Sequence, residues 1–250
     1  MQIPELTFPA ALTVTGQTID ISGFGLQLKT FYTRLFWETV DHYRRAGKPR
    51  VAIGIAGPTG AGKSVVAVLF QELARQARLA FAFEAVTIDA YHYPNHYLLS
   101  HCSDGVALKQ VKGRFDTYDV AALVRDLDAF AGGQNIAFPA YSRTLHDPVP
   151  DQVPITAPAT LLILEGLWLL SDQGGWERIR PRLDFCYFID SDQERTRPAV
   201  LKRHMAGGRT LADATRHYEN VDGRNSEQVR QTRHKADKVI PPYYEVGGGG

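Results

Sequence analysis

The chain has 250 residues, 44% hydrophobic and 22% charged, with a formal net charge of +1. That length suits one α/β domain with a full core, and the composition excludes a fibre or a disordered chain. A near-zero charge supplies no global field toward nucleic acid or acidic membranes, so neither is an expected partner. Cys102 and Cys186 are the two cysteines, too few for a disulfide framework, which points to a reducing compartment. Residues 1–10 lack the basic start and apolar stretch of a signal peptide. The longest apolar run, Leu161 to Leu170, is broken by Glu165 and falls short of a bilayer span. A cytoplasmic protein is expected.

In chain order, residues 1–27 are rich in Pro, Thr and Gly and read as an extended arm. A helical stripe follows over Leu28 to Arg45, with Phe31, Leu35, Phe36 and Val40 on one face, and Gly47-Lys-Pro49 ends it. Arg50 to Ala56 reads as a strand, Gly57 to Ser64 as a glycine-rich loop, and Val65 to Arg78 as an amphipathic helix. Phe81 to Asp89 is a second strand. Tyr91 to Arg114 is irregular and rich in aromatics and histidine. Asp119 to Phe130 is a helix stopped by Gly132-Gly133. Ile136 to Phe138 is a short strand, and Arg143 to Pro158 a proline-punctuated loop. Leu161 to Glu165 and Phe185 to Asp190 are strands. Arg195 to His204 and Leu211 to Val221 are helices joined by Gly207-Gly208, and Lys238 to Ile240 is a last strand. Strands alternating with helices predict a doubly wound, mostly parallel sheet with helices on both faces. The predicted organisation is an N-terminal extension with one helix (1–49), a P-loop domain (50–246) with a helical lid near 195–220, and a flexible glycine tail (247–250).

Gly57-Pro58-Thr59-Gly60-Ala61-Gly62-Lys63-Ser64 fits G-x-x-x-x-G-K-[ST] at every fixed position, after a strand and before a helix. The glycines let the backbone wrap closely, and with Val65 the opening helix turns its amides toward phosphates. Lys63 would reach the β- and γ-phosphates of ATP, and the Ser64 hydroxyl would serve Mg²⁺. Asp172-Gln-Gly-Gly175 carries the letters of a GTPase switch, but no Asn-Lys-x-Asp guanine reader follows it. Asp89 ends the second strand, where ligands of open α/β sheets sit, so its carboxylate can take a proton from an attacking hydroxyl. Its competing reading is a turn cap.

The segment Thr87-Ile-Asp89-Ala-Tyr91-His92-Tyr-Pro94-Asn95 resembles that after the second strand of bacterial pantothenate kinases. It also resembles the Asp-x-Phe/Tyr-Tyr/His pattern of uridine kinases. Both belong to the phosphoribulokinase/uridine kinase family. Lys112-Gly-Arg-Phe-Asp-Thr-Tyr118-Asp119, Pro139-Ala-Tyr141-Ser142, Leu161-Leu-Ile-Leu-Glu165-Gly166 and Ala236-Asp237-Lys-Val-Ile240-Pro241 resemble later segments of that family, in order, from about Val51 to Pro241. Arg203, Gly208-Arg209 and Tyr218 resemble the lid helices of uridine kinases. The resemblance implies the P-loop kinase fold, ATP with Mg²⁺, and a small-molecule hydroxyl acceptor.

Glu165 closes an apolar strand, where a charge is costly unless used; serving Mg²⁺ would use it, and the resemblance implies the same. Arg203 and Arg209 flank the Gly-Gly hinge and are expected to close over the phosphates and stabilise transferred charge, while Arg195, Arg197 and Lys202 include a solvated face. Lys112, Arg114, Tyr141 and Arg143, with Tyr91 and His92, are expected around the acceptor. Tyr218 and Asn225 join them by resemblance and position. Arg143 stands where pantothenate kinases have histidine, and it suits an acceptor bearing a carboxylate or phosphate. Pantothenate, a nucleoside, a sugar or polyol and a hydroxy acid all remain open acceptors, and a homodimer remains open. The spacing of His92, His96 and His101 fits no compact zinc motif. A non-catalytic ATP-binding regulator on the same fold is the alternative function, against which Lys63, Ser64, Asp89 and Glu165 together argue.

Overall fold

A computed structural model describes residues 6–14 and 16–243, and the expected glycine tail at 247–250 lies outside them. The elements in order are β1 (Ala11–Val14), β2 (Gln17–Asp20), α1 (Leu26–Arg45), β3 (Arg50–Ala56), α2 (Lys63–Ala77), β4 (Ala82–Thr87), α3 (Asn95–Ser100), β5 (Cys102–Ser103) and β6 (Val106–Ala107). Then come α4 (Val120–Ala131), β7 (Ile136–Ser142), β8 (Asp147–Ile155), β9 (Thr160–Gly166), β10 (Phe185–Ile189), α5 (Gln193–Ala206), α6 (Leu211–His217), α7 (Gly223–Gln231) and β11 (Lys238–Ile240).

The central sheet has the order β11-β10-β3-β9-β4, and every pairing in it is parallel. Parallel neighbours need crossovers, and the crossing helices bury both faces. β3 and β9 are accordingly buried at every residue. Side chains alternate across the strands, so two cores form. Val51, Ile53, Ile55, Leu161 and Ile163 pack with α1 and α2. Ala52, Ala56, Leu162 and Leu164 pack with Leu123, Leu127 and Phe130 of α4. The second of these cores packs tightly on the sheet at Gly54, where a Cβ would lie 2.8 Å from both Cys186 Sγ and Leu183 Cδ1. Arg50 is buried at the start of β3, and its guanidinium donates to the carbonyls of Phe130, Gln134 and Ala157. It thereby ties the end of α4 and two connections to the sheet. Cys102 is exposed, Cys186 is buried, and both are free thiols. No helix among the described residues is long and apolar enough to cross a membrane.

α3 and the β5–β6 pair lie in the stretch 91–114 read as irregular, α7 lies where no element was expected, and two further segments differ from expectation. The arm contains an antiparallel hairpin, β1 with β2, whose Leu12 and Val14 are buried in the same core as α2. Leu12 and Val14 alternate with exposed residues, a half-buried strand pattern that four residues are too short to announce. The expected proline-punctuated loop contains β8, a nine-residue strand paired antiparallel with β7 from Ile136↔Ile155 to Ser142↔Asp147. Pro148, Pro150 and Pro154 are tolerated because this is a two-stranded ribbon with open edges, where a missing N–H costs no ladder bond. The short strand at Ile136 therefore belongs to the ribbon and not to the central sheet, and the pairing is irregular around Pro139, between Phe138 and Ala140.

Candidate active site

The carboxyl ends of three neighbouring strands converge at one edge of the central sheet. Glu165 on β9 is in register with Ile55 on β3 and with Thr87 on β4. The loop after β3 and the turn after β4 therefore face each other across Glu165. Gly57 must be glycine: a Cβ there would lie 2.7 Å from the Ile189 carbonyl oxygen. Gly62, at φ 95°, caps α2 in the left-handed region that favours glycine. Pro58, Ala61 and Val65 complete the loop's turn and anchor, Ala61 and Val65 being packed in the α2 core. No side chain caps the first turn of α2, so its amide groups stay available to an anion. From below, Ser226 Oγ on α7 accepts the Thr59 amide at 3.2 Å.

Thr59, Gly60, Lys63 and Ser64 line a cavity of about 750 Å³ together with Asp89, Glu165 and the residues after α5. Lys63 Nζ donates to the Pro58 carbonyl at 2.8 Å. Burial pushes its pKa down to about 8, while Glu165 and Asp89 pull it back toward the charged form. Ser64 Oγ donates to Glu165 Oε1 at 2.9 Å. Glu165 is only 5% exposed; burial and the Asp89 charge raise its pKa, opposed by Lys63. A buried carboxylate held beside a hydroxyl is a donor set of hard oxygens, the kind Mg²⁺ takes. Asp89 sits in the single turn after β4, where Thr87 Oγ1 accepts its amide at 3.2 Å. Thr87, and not Asp89, therefore caps the turn, leaving the Asp89 carboxylate 39% exposed in the cavity.

His92 lies 4.0 Å from Asp89, Nε2 to Oδ1. Its ring stacks on Tyr118 at 3.8 Å, and Nδ1 meets the Thr117 carbonyl at 3.1 Å. Only a protonated nitrogen can pair with a carbonyl, so Nδ1 carries the hydrogen and Nε2 is left as an acceptor. Burial pushes the His92 pKa down to about 4, which keeps the ring neutral. The same wall carries Lys109, Lys112, Tyr141, Arg143 and His146. Arg203, the Gly207-Gly208 turn and Arg209 also line the cavity, a Cβ at Gly207 lying 3.9 Å from His146 Cε1. There Asp222, in a π-helical turn over Tyr218–Asp222, accepts from His204 Nε2 at 2.7 Å. Burial would raise the Asp222 pKa, but the His204 bond and the Arg203 charge outweigh it and hold the carboxylate ionised.

Of the residues expected from sequence, Thr59, Gly60, Lys63, Ser64, Asp89, His92, Lys112, Tyr141, Arg143, Glu165, Arg203, Arg209 and Asn225 line this one cavity. Asn225 Nδ2 donates to the Gly113 carbonyl at 3.0 Å, which fixes the segment bearing Lys112. Gly57, Pro58, Ala61, Gly62 and Val65 shape the loop without lining the cavity, and three residues expected around the acceptor do not line it either. Tyr91 turns its hydroxyl to Asp126 on α4 at 2.6 Å. Arg114 is engaged bidentately by Asp116 at 2.7 and 2.6 Å. Tyr218 donates to the Gln193 carbonyl at 3.2 Å, with Arg197 over its ring. The expected GTPase look-alike serves structure: Gly175 caps the turn at Trp176–Arg178, and Asp172 pairs with Lys235. Sequence reasoning missed Lys109, His146, Tyr118, Asp222 and, from the N-terminal hairpin, Gln17, all of which line the cavity. Asp222 and His146 stand in segments with no spacing signal, while Gln17 is brought in by tertiary packing of the hairpin.

The phosphoribulokinase/uridine kinase family model matches residues 52–246. The chain belongs to that family. It is 33% identical over 191 residues to the uncharacterized protein YggC of Escherichia coli K12, covering 76% of this chain and 77% of that one. Against the pantothenate kinase of Agrobacterium fabrum it is 31% identical over 185 residues, covering 69% of this chain and 55% of the relative. The chain thus spans about half the length of the curated pantothenate kinases it matches. In fold it is similar to a candidate fructose transport system kinase from Silicibacter sp. TM1040, with TM-score 0.72, 20% identity and coverage of 84% and 98% of the two chains. It is also similar to D-glycerate 3-kinase from Cryptococcus neoformans, with TM-score 0.64, 14% identity and coverage of 90% and 98%. The matched stretch contains Gly57–Ser64, Asp89, Glu165 and the helices α5 and α6.

Proposed function

We propose that the protein transfers the γ-phosphoryl group of ATP to a hydroxyl of a small metabolite. The observation that carries this reading is the convergence of Lys63, Ser64, Glu165 and Asp89 on one cavity at the carboxyl edge of the sheet. Phosphoryl transfer asks mainly for positioning and charge neutralisation, which a preset loop and buried cations supply. Lys63 and the first-turn amides of α2 hold the β- and γ-phosphates. Ser64 Oγ and Glu165 are the groups that would hold Mg²⁺, which when bound neutralises phosphate charge. The acceptor hydroxyl oxygen forms a bond to the γ-phosphorus as the bond to the bridging oxygen breaks, ADP leaves, and Asp89 takes the hydroxyl proton. His92 Nε2, a neutral acceptor beside Asp89, orients that hydroxyl. Arg203 and Arg209 close from the lid, exclude water and meet the charge on the transferred group.

Two carboxylates near one phosphate site invite the opposite division of labour. Burial and the 2.9 Å bond to Ser64 favour Glu165 for the metal, and the open, cavity-facing carboxylate of Asp89 favours the base. The test is ADP formation from Mg·ATP as hydroxyl acceptors are added, beside ATP affinity measured by a fluorescent analogue. Acceptor-dependent ADP formation is expected, and it should vanish in Lys63→Ala while the fold, read by thermal melting, persists. Tight ATP binding with no acceptor-dependent turnover would instead identify a non-catalytic regulator.

A further inference from the structure

The cavity wall that carries Lys109, Lys112 and Arg143 is more basic than ATP requires. Lys63, Arg203 and Arg209 already stand at the phosphate end. Lys109 and Lys112 lie farther along, on the segment between α3 and α4, with Arg143 on the turn between β7 and β8. Among the described residues neither lysine forms an ion pair. Both ammonium groups donate to one neutral amide oxygen, Asn95 Oδ1, and Lys112 also donates to the His146 carbonyl at 2.8 Å. Asn95 is itself held: its amide group donates to the His146 carbonyl at 3.0 Å, and its backbone N–H to Asp147 Oδ1 at 2.8 Å. The site thus gathers two like charges on a fixed neutral acceptor. Burial of Lys112, and after it the charge of Lys109, push the Lys112 pKa down to about 8 against the pull of Asp147 and Asp89. Such an arrangement costs free energy that an anion between the two cations would return.

The aromatic residues of the wall argue against a nucleobase in the same place. Base recognition by stacking needs an open ring face. Tyr118 is 4% exposed, with the His92 imidazole on it at 3.8 Å and Trp176 at its edge. Lys112 Nζ lies over the Tyr141 ring, 5.2 Å from its centre. The cation and the imidazole each cover one face of these rings.

We infer that Lys109, Lys112 and Arg143 form an anion subsite, and that the acceptor is a small hydroxylated anion, a carboxylate or a phosphate monoester, rather than a free nucleoside or neutral sugar. This rests on the kinase reading and narrows it. Because the Asp89 charge acts on Lys112, the reacting hydroxyl and the anionic group belong to one compact molecule.

The experiment separates this inference from the kinase reading by measuring binding and turnover independently. The full chain is loaded with Mg²⁺ and a non-hydrolysable ATP analogue, so that the phosphate loop is filled. Calorimetry then follows hydroxycarboxylates against their methyl esters, sugar phosphates against their parent sugars, and free nucleosides. The carboxylate and phosphate arms distinguish the two sources of the anion. An anion in one arm is expected to bind about 10–100-fold more tightly than its uncharged counterpart, as loss of charge-assisted hydrogen bonds implies. Lys112→Met should cut that ratio to a few-fold and leave the affinity for the ATP analogue unchanged. Lys109→Met, which leaves the Tyr141 contact in place, should weaken the anion in the same direction. A nucleoside or neutral sugar that binds as well as the best anion, no anion binding in either arm, or a charged-to-neutral ratio unaltered by both substitutions would overturn the anion subsite. Anion binding without any ADP formation from Mg·ATP would retain the subsite and sink the kinase reading.

Discussion

Replacing Asp89 with asparagine tests the division of labour between the two strand-end carboxylates. The substitution keeps the size of the side chain and removes its basicity. Its structural cost should be small, because the carboxylate is 39% exposed and Thr87, not Asp89, caps the turn. Exposed positions of this kind change stability by no more than about 0.5 kcal/mol. The kinetic cost should be large: loss of a general base lowers kcat by about 10²–10⁴-fold, which is about 3–5 kcal/mol of transition-state stabilisation. ATP and Mg²⁺ binding should stay near wild type. Glu165→Gln should behave differently. It removes a buried charge bonded to Ser64 at 2.9 Å, so its main effect should be a higher Mg²⁺ requirement. The assay is steady-state ADP release for each variant over a range of Mg²⁺, with ATP affinity measured separately. The reasoning fails if Asp89→Asn leaves kcat within a few-fold of wild type. It is inverted if Asp89→Asn shifts only the Mg²⁺ dependence while Glu165→Gln shifts only kcat.

Three other predictions follow from particular contacts. Lys63 must be protonated to hold phosphate, and burial lowers its pKa from 10.5 to about 8, so ATP affinity should be full below that value and fall as pH rises through it. Glu165→Gln, which removes the largest charge holding Lys63 in its protonated form, should move that fall to lower pH, and a titration whose midpoint does not move would contradict the assignment. Gly54→Ala places a Cβ 2.8 Å from Cys186 Sγ and Leu183 Cδ1 and should cost about 1–3 kcal/mol by overpacking, seen as a Tm lower by several degrees; an unchanged Tm would show that the core around Cys186 and Leu183 yields freely. Hydrogen exchange across residues 200–215 should slow when an ATP analogue and Mg²⁺ bind, since Arg203, Gly207, Gly208 and Arg209 line the cavity, whereas unchanged exchange would mean a static connector.

The parts of the fold legible in the sequence are those whose signals are local. β3 and β9 are buried on both faces and read as apolar runs, and the phosphate loop announces itself because each glycine answers a backbone demand. The reading failed where tertiary context overrides local chemistry. Pro148, Pro150 and Pro154 signal a loop, yet they sit in β8 because an edge ribbon tolerates missing donors. Of the cavity, Lys63, Ser64, Asp89 and Glu165 were accessible as a spaced motif and as acidic strand ends. Tyr91 and Arg114 neighbour motif residues in sequence, but their side chains go to Asp126 and Asp116. In a single turn of backbone adjacent residues point in different directions, and nothing in their identity reveals which one faces the cavity. Gln17 and Asp222 reach it through packing of the hairpin and of the π-helical turn, information that no local window holds.

The central claim is transfer of phosphorus from ATP to a hydroxyl oxygen, and phosphorus NMR of the products reads that bond directly. With Mg·ATP and an accepted hydroxy anion, the spectrum should gain ADP and a new phosphomonoester in equal amounts, and both should be absent in Lys63→Ala. Inorganic phosphate as the only new species, or an unchanged spectrum from a chain that binds ATP tightly, would contradict the account.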